Sequence, residues 1–204
     1  MIAPQPVVYV IDDDEPVRES LSWLISSIDL NVKTYPSATA FLEDCDQVQT
    51  GCLITDIRMP GLSGLDLQIE LNQRGIDIPV IVISGHGDVQ TAVRAMKAGA
   101  FDFIEKPFND QLLLDLVNRA VTHSLAASEA HSQQVGLLAR RDSLTPRERQ
   151  VLDLIAKGEP NKSIGHKLEI SDKTVEAHRA KVMSKMQATS LAELVTMVLS
   201  LERN

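Results

Sequence analysis

Aromatic side chains are scarce in this chain: one Trp, two Tyr and four Phe make up 3% of its 204 residues. Its core must therefore be aliphatic, and a hydrophobic content of 44% is enough to build one. Only two cysteines occur, Cys45 and Cys52, with no second pair and no metal-ligand spacing. They read as free thiols in a reducing compartment, not as a disulfide framework or a zinc site. No run of 18 apolar residues is present, so no membrane span and no membrane partner are expected. The opening MIAPQPVVYVIDDDE has no basic segment before its apolar one and meets acids at once, unlike a signal peptide. The cytoplasm is the expected location.

Basic charge is also scarce, but unevenly so. Residues 1–123 carry 8 Lys or Arg against 18 Asp or Glu, whereas residues 143–204 carry 10 against 8. The net of −8 thus hides an acidic first part and a mildly basic second part, which points to two domains with different partners.

What is present is a regular alternation. Apolar, β-branched runs at Val7–Ile11, Asn31–Tyr35, Cys52–Thr55, Val80–Ile83 and Phe101–Ile104 read as strands. Segments of helical period separate them: Val17, Leu21, Leu24, Ile25 and Ile28; Ala38, Phe41 and Leu42; Leu65, Leu67, Ile69 and Leu71; Val89, Val93 and Met96; Leu112, Leu113, Leu116, Val117 and Ala120. Five strands alternating with five helices predict a parallel sheet covered on both faces, an α/β domain over residues 1–121. Residues 122–142, THSLAASEAHSQQVGLLARRD, read as a linker, helical to about Gln134. Residues 143–204 read as an all-α domain of four helices. Thr145, Pro146 and Glu148 form a capping box, Gly158 stops that helix, Asn161 caps the next, Ser171 or Asp172 the third, and Ser190 with Glu193 the last. A tight turn at Glu169–Ile170 before the third helix makes this a helix-turn-helix.

In a parallel sheet the carboxyl ends of the strands share one edge, where ligands bind. The first strand ends in Asp12, Asp13 and Asp14, the third in Asp56, the fourth in Ser84 and the fifth in Glu105, Lys106 and Pro107. Clustered carboxylates repel by ~1–4 kcal/mol per pair at surface-like dielectric, so a cation among them is expected. Hard oxygen ligands in small number suit Mg2+ (or Mn2+), and that cation, Lys106 and a nucleophilic carboxylate make a site suited to phosphoryl transfer.

The stretches VIDDDEPVR, LITDIRMPGLSGLDL, VIVISGHGDVQTAVRAMKAGAFDFIEKPF and LTPRERQVLDLIAKGEPNKSIGHKLEISDKTVEAHRAKVMSKM resemble the two-component response regulators of the FixJ/NarL group. The likeness covers residues 7–120 as a receiver and about 143–200 as a LuxR-type helix-turn-helix. It implies a flavodoxin-like receiver with strand order 2-1-3-4-5 and Asp56 as the phospho-acceptor. Asp12, Asp13, Asp56 and the backbone carbonyl of Arg58 would hold Mg2+. Lys106 would bind phosphoryl oxygens, Ser84 would be the switch hydroxyl, and Phe103 the aromatic whose rotamer follows it, with a cis Lys106–Pro107 bond. Relatives often carry Thr where Ser84 stands, which keeps the hydroxyl and loses a methyl. Arg58 and His86 flank the pocket and are expected to tune the lifetime of the phosphoryl group.

On SDKTVEAHRAKVMSKM, Val175, Val182 and Met186 share one face and should be core. The opposite face fits a major groove. Lys162, Lys173, Lys181 and Lys185 are expected on phosphates, with Thr174 at the same interface. Glu176 suits a cytosine amine, and Ala177 and Ala180 suit thymine methyls. The family resemblance gives His178 and Arg179 backbone contacts, although Arg179 can alternatively pair with an acid of its own chain. With its small positive charge this domain should bind weakly alone, so dimerisation would supply avidity.

By the same resemblance, phosphorylation reshapes the face of the fourth helix and fifth strand, where two receivers pair. Gln90, Thr91, Arg94, Ala95 and Lys97 are the expected exposed positions, with Lys97 meeting Asp102 of a second copy. The implied partners are a sensor histidine kinase, promoter DNA, RNA polymerase and a second copy of the chain. The implied process is transcription activation, with nitrogen-fixation genes suggested by the group; the only catalysis is the chain's own Mg2+-dependent phosphotransfer and dephosphorylation, so no separate enzyme activity is expected. Three other readings stay open: a phosphate sink with a vestigial helix-turn-helix, a small-molecule phosphohydrolase, and a polymerase-binding module similar to part of a sigma factor. The phosphohydrolase would need an Asp-x-Asp nucleophile on the first strand and a cap, and neither is visible.

Overall fold

The computed structural model describes residues 5–45, 50–85 and 89–202. Contacts divide the chain into two units between Ser128 and Glu129. The first alternates strand and helix: β1 (Val7–Ile11), α1 (Glu15–Ser26), β2 (Asn31–Tyr35), α2 (Ala38–Glu43), β3 (Gly51–Asp56), α3 (Gly64–Gln73), β4 (Val80–Ser84), α4 (Val89–Lys97), β5 (Asp102–Glu105) and α5 (Asp110–Asp142). The sheet is parallel with order β2-β1-β3-β4-β5, as expected.

Side chains on a strand alternate between faces, so each strand feeds two cores. Tyr9, Leu53 and Val82 join Phe41, Leu67, Leu71 and Ala95 on one face. Val8, Val10, Ile54, Ile81 and Ile83 join Leu21, Ile25, Leu113 and Val117 on the other. The central strands are buried on both sides, which is why they read as unbroken apolar runs without alternation. Each fully buried Leu or Ile contributes about 1.5–3 kcal/mol relative to exposure. Cys45 and Cys52 are both free and buried, and burial pushes the Cys52 thiol up to about 12.

Two expectations about this unit are corrected. The apolar positions of α4 do not face the sheet: Val89, Val93 and Met96 are exposed, and Ala95, expected at the surface, is fully buried. Ala95 is the residue of α4 that joins the core cluster. The helix expected to end near Gln134 continues to Asp142, with residues up to Ser128 belonging to the first unit and those from Glu129 to the second. Among the described residues no helix is long and apolar enough to cross a membrane.

The second unit adds α6 (Pro146–Ala156), α7 (Asn161–Leu168), α8 (Asp172–Met186) and α9 (Leu191–Glu202). Its core is Leu144, Val151, Leu152, Ile155, Ile164, Val175, Val182, Met186, Leu194 and Val198, with no aromatic ring. All seven Trp, Tyr and Phe residues of the chain precede residue 129. The capping box at Thr145 and Glu148 is formed in both directions, at 3.3 and 2.9 Å. Ser171, not Asp172, caps α8 through Thr174 N–H.

Asn161 is the first residue of α7 and Pro160 its cap, a further correction, because proline's fixed φ already suits that position. Ser190 caps the last helix as expected, but Glu193 turns back to Thr189 N–H and Oγ1 instead of completing a box with Ser190. The turn between α7 and α8 is closed by Glu169 in the left-handed conformation, φ 55°. Gly165 is required there because a Cβ would sit 2.9 Å from the Ile170 carbonyl oxygen.

Candidate functional site

The register of the sheet decides what meets at its carboxyl edge. Ile11 pairs with Thr55, Asp56 with Ile83, and Ser84 with Glu105. The residues one step beyond these pairs, Asp12 and Lys106, thus flank Asp56.

Lys106 Nζ lies 2.8 Å from Asp56 Oδ1 and 3.0 Å from Asp12 Oδ2, bridging the two carboxylates. Burial alone would pull its pKa down, yet the hydrogen bonds and charges of Asp56 and Asp12 outweigh that and raise it. The ammonium is therefore charged across the physiological range. Asp56 Oδ2 accepts from Arg58 N–H at 2.6 Å, and Asp12 Oδ1 from Asp14 N–H at 2.9 Å. Each carboxylate is thus held by one backbone amide and one shared ammonium.

Asp12 is buried, Asp13 is exposed, and Ser84 is buried at the end of β4. A cavity of about 630 Å³ beside Asp56 is lined by Asp13, Arg58, Met59, Ser84, Thr91 and Arg94 among others. Gly64 makes this edge possible: a Cβ there would lie 2.2 Å from the Asp56 carbonyl oxygen, so only glycine lets α3 start so close to the acceptor. The Lys106–Pro107 peptide is cis. Phe103 is half-buried against the core face that holds Tyr9 and Ala95. His86 lies outside the described residues.

The donor set is of the hard-oxygen kind that suits a divalent cation: Asp12, Asp13 and Asp56 all stand at the carboxyl edge of the sheet. Among the described residues no group of three His, Cys, Asp or Glu stands close enough together to hold a metal ion by itself. Mg2+ needs only one or two carboxylates, with waters and phosphate oxygens as its other ligands.

On α8 the two faces separate as expected. Val175, Val182 and Met186 are fully buried. Lys173, Thr174, Glu176, Ala177, Ala180, Lys181 and Ser184 are exposed, as is Lys162 on the first turn of α7, while His178 and Arg179 are half-buried. Lys185 is a correction. Its ammonium donates to Glu148 Oε2 at 2.7 Å and to the Ser143 carbonyl at 3.1 Å, so it turns inward to neutralise a buried acid. Arg147 donates to the carbonyl of Leu168, bracing the C-terminus of α7.

On the expected pairing face, Gln90, Arg94 and Lys97 are exposed and Thr91 is half-buried. Asp102 lies 3.7 Å from Arg119 of its own chain, a neighbour the sequence did not suggest. Arg18 was also missed: from α1 it donates to the backbone carbonyl of Asp12 at 2.7 Å. Its position one turn after Asp14 was the available signal.

Residues 8–118 match the response regulator receiver domain, and residues 142–198 match the bacterial regulatory proteins of the luxR family. Transcriptional regulatory protein FixJ of Rhizobium meliloti is 49% identical over 193 residues, 95% of either chain. Response regulator protein TmoT of Ectopseudomonas mendocina is 47% identical over 191 residues, 94% of this chain and 87% of that one. Among solved structures, response regulator StyR superposes with a TM-score of 0.89 at 43% identity, covering 97% of this chain and 100% of that one. Full-length FixJ from B. japonicum does so with a TM-score of 0.61 at 40% identity, covering 99% and 100%. A receiver domain and a LuxR-type domain together account for most of this chain, and the chain belongs to the FixJ-like response regulators, transcription factors that join the two domains.

Proposed function

We propose that a sensor histidine kinase phosphorylates Asp56 and that the phosphorylated chain dimerises and binds promoter DNA. The observation that carries this reading is Lys106 bridging Asp56 and Asp12 at 2.8 and 3.0 Å. An Asp56 oxygen attacks the phosphorus of a phosphohistidine; the P–N bond breaks, and the imidazole leaves with the electron pair and takes up a proton. Lys106 supplies positive charge where the equatorial phosphoryl oxygens gather it, which is the main demand of such a transition state. Asp12, Asp13, Asp56 and the Arg58 carbonyl would hold Mg2+, which when bound neutralises phosphoryl oxygens. Catalysis is confined to the chain's own phosphorylation and dephosphorylation, and Arg58, on the rim of the pocket, sets access of water.

The buried Ser84 hydroxyl would donate to a phosphoryl oxygen, with Phe103 following. The output face is α4 with β5. Val89, Val93 and Met96 are exposed there beside Arg94 and Lys97, an apolar patch with a basic rim. Lys97 would meet Asp102 of the second copy. A two-fold dimer presents two α8 helices to the major groove, with Lys162, Lys173, Lys181 and Thr174 on phosphates and Glu176, Ala177 and Ala180 on bases. His178 and Arg179 stand at the border of that face and contact the backbone. RNA polymerase then joins at the promoter, in the cytoplasm, and transcription is activated.

The test is the solution mass with and without a small phosphodonor plus Mg2+, for this chain and for Asp56→Asn. Conversion of the unsubstituted chain alone from monomer to dimer supports the reading. A chain phosphorylated on Asp56 that stays monomeric overturns the dimer step and leaves the pocket chemistry standing.

A further inference from the structure

We infer that Arg18 is a positioning residue of the acid pocket: by clamping the backbone of Asp12 from α1, it sets the affinity of the pocket for Mg2+. The inference rests on the reading of Asp12 as a metal-holding acid. Asp12 is held at four points. Its N–H donates to the Tyr35 carbonyl at 3.3 Å, Oδ1 accepts from Asp14 N–H at 2.9 Å, Oδ2 accepts from Lys106 at 3.0 Å, and its own carbonyl accepts from Arg18 Nη1 at 2.7 Å.

The first of these is the sheet itself, and the next two belong to the pocket's chemistry. Arg18 is different, because it reaches in from outside the pocket. It sits one turn inside α1, its N–H is already used on the Asp14 carbonyl at 3.1 Å, and its side chain folds back over the start of its own helix. The loop Asp12–Asp14 is thus closed at both ends by one residue. Arg18 is half-buried and also lines a groove beside α1 with Glu15, Glu19, Ser22, Trp23 and Thr34. A hydrogen-bond path therefore runs from that groove through Asp12 and Lys106 to Asp56.

A charged donor on a metal-holding residue acts in two opposite ways. Its positive charge opposes a cation, and its hydrogen bond fixes the ligand that binds one. The charge is partly exposed and screened by salt, with a screening length that falls from ~10 Å at 0.1 M to ~3 Å at 1 M. The fixed geometry is indifferent to salt, and loss of such a supporting contact typically costs ~10–100-fold in metal affinity. Geometry therefore wins, and most clearly at high salt.

The experiment is a Mg2+ titration of the full, unphosphorylated chain at low and high ionic strength, followed by calorimetry and by the amide shifts of Asp12–Asp14. It compares the unsubstituted chain, Arg18→Ala and Arg18→Lys, with Asp12→Asn as the metal-site control. Arg18→Ala is expected to weaken Mg2+ binding by ~10-fold or more at both ionic strengths. Arg18→Lys, which keeps the charge but offers a single ammonium in place of the fork, should fall between. In phosphorylation by acetyl phosphate, the half-saturating Mg2+ concentration should rise while the rate at saturating Mg2+ stays put, a split that a merely structural role would not produce. Unchanged or tighter binding in Arg18→Ala overturns the inference, and if that variant does not fold, unchanged binding in Arg18→Lys does so. Failure of the unsubstituted chain to bind Mg2+ overturns the metal reading itself, and is distinguished by appearing before any substitution is made.

Discussion

Lys185, on the last turn of α8, neutralises Glu148, the capping-box partner of Thr145 at the start of α6, across 2.7 Å. A residue expected to meet DNA instead ties α8 to α6, and among the described residues Glu148, at 3% exposure, has no other cation within salt-bridge distance. Removing the lysine leaves a buried carboxylate without its partner, at a cost of about 1–3 kcal/mol. Lys185→Met should therefore lower the unfolding midpoint of the second unit in a denaturant titration. The dependence of DNA affinity on salt should not change.

The same pair gives a pH dependence. Lys185 first, and then the Thr145 N–H, hold the Glu148 carboxyl down at about 2 from its ordinary 4.5. A carboxyl lowered on folding contributes stability that is complete above the unfolded value and is lost as pH falls toward the folded one. The second unit should lose stability as pH drops from about 4.5 to about 2. Thermal melts across that range should show a shallower acid limb in Glu148→Gln, which starts lower and has less to lose.

In the proposed phosphotransfer, Lys106 supplies the positive charge that the phosphoryl group meets. Lys106→Met should slow phosphorylation of Asp56 by a small phosphodonor about 10²–10³-fold, the usual cost of one lost donor to a charged transition state. The yield of phosphorylated chain against time, read by intact mass, checks this.

Because Val93 and Met96 are exposed at 45% and 49%, a charge placed there should leave the fold within about 0.5 kcal/mol. Val93→Asp should nevertheless abolish the dimer formed with phosphodonor, as measured by light scattering. A fully phosphorylated Val93→Asp chain that still dimerises would place the pairing face elsewhere.

Salt titrations separate the lysines of the DNA face. Lys173→Ala and Lys181→Ala should each reduce the slope of log K against log salt by about 0.9, one phosphate contact apiece. Glu176→Ala should instead relax preference at a single base pair, by about 1–3 kcal/mol between the best and worst base.

The strands and the Thr145 capping box were legible because their signals are local. The first two strands end where turn residues follow, and Thr145 with Glu148 declares a helix start within four residues. The pocket was legible because parallel strands bring their last residues together whatever the loops do. What escaped the sequence depends on contacts distant in the chain or on helix phase. A period of apolar residues marks a face, but not whether that face meets the sheet or another molecule, so α4 was turned the wrong way round. The charge of Lys185 is visible, but the buried acid that claims it lies 37 residues earlier. Arg18 reads as a surface charge until the carbonyl of Asp12 is seen beneath it.

The ring-free core of the second unit has an optical consequence. Every chromophore that absorbs near 280 nm through an aromatic ring sits before residue 129, and the single tryptophan, Trp23, is 80% exposed on α1. The DNA-binding unit is dark in near-ultraviolet spectroscopy, and its melting leaves no direct trace in intrinsic fluorescence. Any change in Trp23 emission on adding operator DNA is therefore a signal from the receiver, so one cuvette reports whether engagement of DNA is felt at the phosphorylation domain.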